Sequence, residues 1–181
     1  MRQKISNTSV LYVRNFIFGV EDSLVSTVGL VSGIAAASAP RTAIILTGVV
    51  LIFVEAFSMA IGSLFSENSA REYETKKDIP LFKSAKGALV MFFAYFCSGF
   101  IPLLPYILTE GHYAFWASII ASVLTLFILG AVSAKIFGTG AIKHGLEMFF
   151  LGGGAIALGV AVGKFAHSNF LALTVFHRFL V

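Results

Sequence analysis

Three carboxylates, Glu21, Asp22 and Glu55, lie in stretches apolar enough to cross a membrane. Between residues 16 and 65 the only Lys or Arg is Arg41, which falls between the two stretches. A charge near a bilayer centre costs at least about 2.5–3.5 kcal/mol. It persists when it is protonated, faces a polar cavity or binds a cation. Clustered carboxylates in low dielectric hold protons, by desolvation and mutual repulsion, unless a cation replaces them. A divalent metal competes for the same oxygens and releases protons as it binds. One site can therefore exchange metal for protons. Oxygen ligands alone would admit Mg²⁺ or Ca²⁺. The thioether of Met59, one helical turn from Glu55, tilts the preference toward transition metals.

The elements that must position these groups are helices. The 181 residues are 57% hydrophobic and 12% charged, against about 25% charged for a soluble domain. The expected class is an all-α, polytopic membrane protein embedded in the lipid bilayer, with one membrane domain over 1–181. A span needs about 20 apolar residues. Five fit: 16–38, 42–65, 85–108, 114–134 and 145–166. Ala39-Pro40-Arg41 reads as a tight turn. The polar linker 66–84 can extend the second helix until Asp78-Ile79-Pro80 stops it. The tail, 170–181, is apolar but too short to span, and is expected at the interface. Pro102 and Pro105 should break or kink the end of span three.

Ten Lys and Arg fall on one side of these spans, in the N-terminal segment and in the connections from two to three and from four to five. Three fall on the other side. The basic side faces the cytoplasm, which places the N-terminus inside and the C-terminus outside. Asp22 then sits about 12 Å along span one from Arg14. Glu55 and Met59 lie about 15 Å and 9 Å from the end of span two, at matching depth. Helices joined by a tight turn should be neighbours. Asp22, Ser26, Gly29 and Gly33 form one stripe, and Gly48, Glu55, Met59, Gly62 and Ser66 another. Glu21 points about 100° away from Asp22.

Plainer readings compete. Gly29-xxx-Gly33 and Gly159-xxx-Gly163 have the form of close helix packing. Glu67, Glu72 and Glu74, interspersed with Arg71, Lys76 and Lys77, read as a solvated, partly helical face. The sharper alternative is a weak cytoplasmic metal-collecting site. The four His fall at span edges, in loops or in the tail. No nucleic-acid partner is expected, because no basic cluster is interleaved with exposed aromatics. No GxSxG, HExxH, Walker A or Rossmann pattern occurs, so no enzyme is expected. A non-transporting metal-binding or structural membrane protein, and a passive divalent-cation channel, remain alternatives to a transporter.

FGVEDSLVSTVGLVSG in span one, EAFSMAIGSLFSENSARE ending span two, SGFIPLLPYIL in span three and GAIKHGLEMFFLGGGAIA leading into span five resemble the vacuolar iron transporter family. The resemblance runs from about residue 14 to 163. It implies a five-helix homodimer with the ion path at the dimer interface. It implies proton-coupled export of Fe²⁺, and of Mn²⁺, from the cytosol, with the metal as cargo and no permanently bound cofactor. The expected membrane is the cell membrane in a prokaryote, or a vacuolar or other organelle membrane in a eukaryote. The family's path-lining acid and Met match Asp22 and Met59. Ser23 stands where the family has Gly. Leu51 stands where plant-type members carry an acid, and Glu55, one turn on, is the candidate replacement. Residues 66–84 take the place of a longer acidic metal-binding insertion.

Overall fold

The structure, a computed structural model, describes the backbone of residues 7–180 and the side chains of residues 10–169. Five long helices follow one another: α1 (Asn7–Ala36), α2 (Arg41–Thr75), α3 (Ala85–Leu108), α4 (Gly111–Phe137) and α5 (Ala141–Leu180). A single 3₁₀ turn, Leu81–Lys83, precedes α3. All five are long and apolar enough to cross a membrane, and the chain is an integral, multi-pass membrane protein. Each expected span coincides with one helix, although the first, 16–38, runs two residues past the end of α1, and four of the five helices extend beyond their expected spans. The side chains of the expected interfacial tail lie outside the described residues. The backbone of α5 carries on as helix to Leu180.

The turns follow from local chemistry. Pro40, at φ −65°, caps the start of α2, where a missing N–H is no loss. Ser38 takes the left-handed conformation that reverses the chain. At the far end of α2, Lys76 is left-handed and donates its N–H to the Glu72 carbonyl. The helix therefore stops two residues before Asp78, close to where the sequence pattern placed the stop. Pro102 and Pro105 do not break α3, which is continuous to Leu108. Arg41 closes that end of α3: its Nε donates to the Tyr106 carbonyl at 2.7 Å and its Nη2 to the Ile107 carbonyl at 2.6 Å. Its Nη1 pairs with Glu110. A cation on the last carbonyls complements the negative end of the helix dipole.

The first two helices are neighbours, as expected, but a third helix dominates their packing. α1 and α2 do touch, but α3 lies against each of them more extensively than they lie against each other. Gly99 makes this possible. A Cβ there would stand 2.7 Å from Ile52 of α2 and 2.9 Å from Ser23 of α1. With hydrogen in its place, α3 wedges between the first two helices. The buried face of α1 is Val20, Leu24, Val28 and Val31, at the three- and four-residue spacing of a helix stripe. Ser32, Ser98 and Ser122 spend their buried hydroxyls on carbonyls one turn back. Polar groups in an apolar bundle need such internal partners.

α5 covers the other side of α1 through glycine. A Cβ on Gly33 would meet the Gly159 carbonyl oxygen at 2.6 Å. Cβ atoms on Gly159 and Gly163 would fall on the backbones of Gly29 and Gly33. The packing reading of these two glycine pairs therefore holds.

Candidate functional site

The α1 carboxylates stand where the helix leaves the tightly packed region. Ser23 and Leu24 are fully buried, whereas Glu21, Asp22 and Ser26 are half-buried. Glu55 and Met59 of α2 are also half-buried. Asp22 and Glu55 lie close enough to interact electrostatically, although α3 intervenes between their helices elsewhere. Glu21 interacts with Asp22. Met59 follows Glu55 by one turn on α2.

α3 supplies a group that the sequence reading missed. Tyr95 packs with no exposed surface, and its hydroxyl hydrogen-bonds to the Ser26 hydroxyl at 2.7 Å. The same Tyr95 lies within electrostatic reach of both Asp22 and Glu55. Its backbone is held by Ser23, whose Oγ donates to the Tyr95 carbonyl at 2.6 Å. Ser23, where the resembled family has Gly, thus ties α1 to α3. The signal was present in the sequence: one Tyr among Phe92, Phe93, Phe96 and Phe100. A Tyr in an otherwise Phe stretch marks a hydroxyl with a partner. Tyr95→Phe should keep the fold and cost about 1 kcal/mol, the net worth of one internal hydrogen bond. A thermal-unfolding midpoint equal to the parent's in detergent would mean that Tyr95 and Ser26 are not bonded.

The outward side of α2 is open. Phe53, Val54, Phe57, Ile61 and Phe65 are all exposed, and a Cβ on Gly62 would meet nothing within 4 Å. Ser58 and Ser66 are exposed on the same helix. A groove of about 1510 Å³ lies elsewhere: it runs along α4 and α5 between such residues as Ile119, Val123, Phe149 and Val160. None of the three intramembrane acids lines it.

The linker differs from the solvated face expected of it. Glu74 and Asp78 are exposed, as expected, but Glu67 is only 6% exposed. α2 continues as helix past the apolar span, which turns Glu67 in against Gly87 at the start of α3. Its Oε1 accepts a bond from Arg71 Nη2 at 2.5 Å. Glu72 is structural: its Oε1 accepts from Asn68 Nδ2 at 2.8 Å and from the Ile79 N–H at 3.2 Å, stitching the turn after α2. Among the described residues no three His, Cys, Asp or Glu side chains group closely enough to hold a metal by themselves. Any ion at Asp22 and Glu55 would need Met59, hydroxyls, water or a second copy to complete its shell.

The fold defines a five-helix membrane protein with acids in its first two membrane-crossing helices. The VIT family model matches residues 13–79 and 78–164, and the chain belongs to that family. It is also similar to vacuolar iron transporter homolog 1 of Oryza sativa subsp. japonica, at 29% identity over 174 residues. That match covers 84% of this chain and 72% of the relative.

Proposed function

We propose that the protein is a proton-coupled transporter of divalent transition metal, Fe²⁺ and also Mn²⁺, exporting it from the cytosol. The observation that carries this reading is the pairing of Asp22 with Glu55 inside the membrane-crossing segments, with no Lys or Arg at their depth. A divalent cation that binds two carboxylates displaces the protons they carry, which couples metal to proton movement. Met59 adds a soft ligand beside them, which favours Fe²⁺ over Mg²⁺ or Ca²⁺. Family membership and the name of the rice relative support iron as the cargo. The basic end of the bundle, with Arg71, Lys76, Lys77, Lys83 and Lys135, is taken as cytoplasmic.

The working unit is a homodimer joined along α2. The half-buried Glu55 and Met59 share their helix with an exposed Ser58, an open Gly62 and an exposed Ser66. Acids and hydroxyls are expensive against hydrocarbon. A second copy facing the same stripe would enclose them and double the ligand set, closing the metal path between the two chains.

The test is metal flux in proteoliposomes with and without a pH gradient. Fe²⁺ or Mn²⁺ should move faster when protons can flow the opposite way, and metal movement should change the luminal pH. Flux indifferent to the gradient would make the protein a passive channel. No divalent flux under any gradient would end the transporter reading.

A further inference from the structure

A second group of polar side chains sits at the basic end of the bundle, where α1, α2 and α3 meet. Asn15 of α1 is 1% exposed. Its Nδ2 donates to Ser63 Oγ of α2 at 2.9 Å and to the Gly87 carbonyl of α3 at 3.0 Å. Glu67 lies beside it. A Cβ on Gly87 would run into Glu67 Oε2 and stand 3.1 Å from Asn15 Nδ2. Both side chains thus occupy the room that Gly87 leaves. Arg71 takes the other carboxylate oxygen, and Oε2 is buried with no hydrogen-bond partner.

We infer that this is an inner divalent-cation station on the way to Asp22 and Glu55. An amide NH₂ donating to two oxygens stands where a cation would stand. Swinging the Asn15 amide back from that position with Oδ1 turned toward it would free the space for the ion and present an oxygen to it. Asn15 Oδ1, Ser63 Oγ, the Gly87 carbonyl and Glu67 Oε2 would then form an all-oxygen set, with water to complete the shell. Glu67 supplies the negative charge, and its bond to Arg71 keeps the site weak enough to release its ion. The placement suits a relay. Ser63 is one turn from Met59 and Glu67 one turn further, while Asn15 lies two turns before Asp22 on the same face of α1. The separation along α1 is about 10 Å. The cargo is the one proposed above, and the station rests on that reading for its role in transport, although not for its ability to bind metal.

The alternative is a purely structural stitch, in which Asn15 ties three helices, Glu67 pairs with Arg71, and Oε2 meets only water. Mn²⁺ binding to the full-length protein in lipid nanodiscs, counted by electron paramagnetic resonance, separates the two. With the central site disabled by Asp22→Asn, one weaker Mn²⁺ per chain should remain. Adding Glu67→Gln should remove it. Adding Asn15→Asp to Asp22→Asn instead should tighten it about tenfold, a gain that misfolding cannot mimic. An Asp22→Asn protein that binds no Mn²⁺ overturns the station, as does an Asn15→Asp change that leaves affinity unaltered. Mn²⁺ retained at this site by a protein that moves no metal in proteoliposomes would keep the station and sink the transport reading.

Discussion

Asp22→Asn is expected to abolish metal transport while leaving the protein folded. The substitution keeps the shape of the side chain and removes the charge that would hold both metal and proton. Removing one of two carboxylates takes a charged ligand from any bound cation, so affinity at the site should fall by about a hundredfold. Flux of Fe²⁺ into proteoliposomes should drop to the level of empty vesicles, with the thermal-unfolding midpoint near that of the parent. Stability should persist because Asp22 is only half-buried and makes no hydrogen bond or ion pair among those found for the described residues. The neighbouring Ser26–Tyr95 bond does not need it. Asp22 and Glu55 interact, so Glu55→Gln and the double variant should be strongly non-additive. Parent-like flux in Asp22→Asn would remove Asp22 from the site.

Why the acids could be paired from sequence, while Tyr95 could not, is a matter of geometry. Depth along a helix is fixed by 1.5 Å per residue once the orientation of a span is known. Two antiparallel spans joined by Ala39-Pro40-Arg41 therefore share a common ruler, and Asp22 and Glu55 fall at one level on it. What the ruler cannot say is which third helix fills the space between them. That depends on where small residues permit close approach, and Gly99 is one of 17 Gly in the chain. Only the packing reveals that it sits between Ser23 and Ile52 and brings Tyr95 to Ser26.

Glu67 shows the opposite limit. Alternating charges over 66–84 describe a solvated helix when read locally, and most of that segment is one. The exception arises because α2 runs almost three turns beyond its apolar span and passes the start of α3. A charge pattern carries no information about a neighbour more than a dozen residues away, and Gly87 is such a neighbour. Helices were legible because apolar runs are long. The settings of Tyr95 and Glu67 were not, because each depends on a glycine of α3, Gly99 or Gly87, that lets another helix approach.

That dependence gives the second large effect, on assembly rather than transport. Gly159→Val should be unable to form the native α1–α5 crossing. Even a Cβ at this position would fall on the Gly29 backbone, and backbone cannot rotate out of the way as a side chain can. The helices would have to separate by more than an ångström over a contact that includes Gly33 and Gly163, losing dispersion and close packing along the whole seam. Overpacking of this kind costs about 1–3 kcal/mol where side chains can yield, and more where they cannot. A loss of at least about 3 kcal/mol is expected, seen as a large fall in unfolding midpoint or as failure to purify as a single species. Gly154→Ala provides the control. It lies on the same helix, five residues away, with nothing within 4 Å of its added Cβ, and Ala is the better helix former by about 0.5–1 kcal/mol. It should be neutral or slightly stabilising. Equal behaviour of the two variants would mean that α1 and α5 do not cross at these glycines, and that α1 is held in place by α2, α3 and α4.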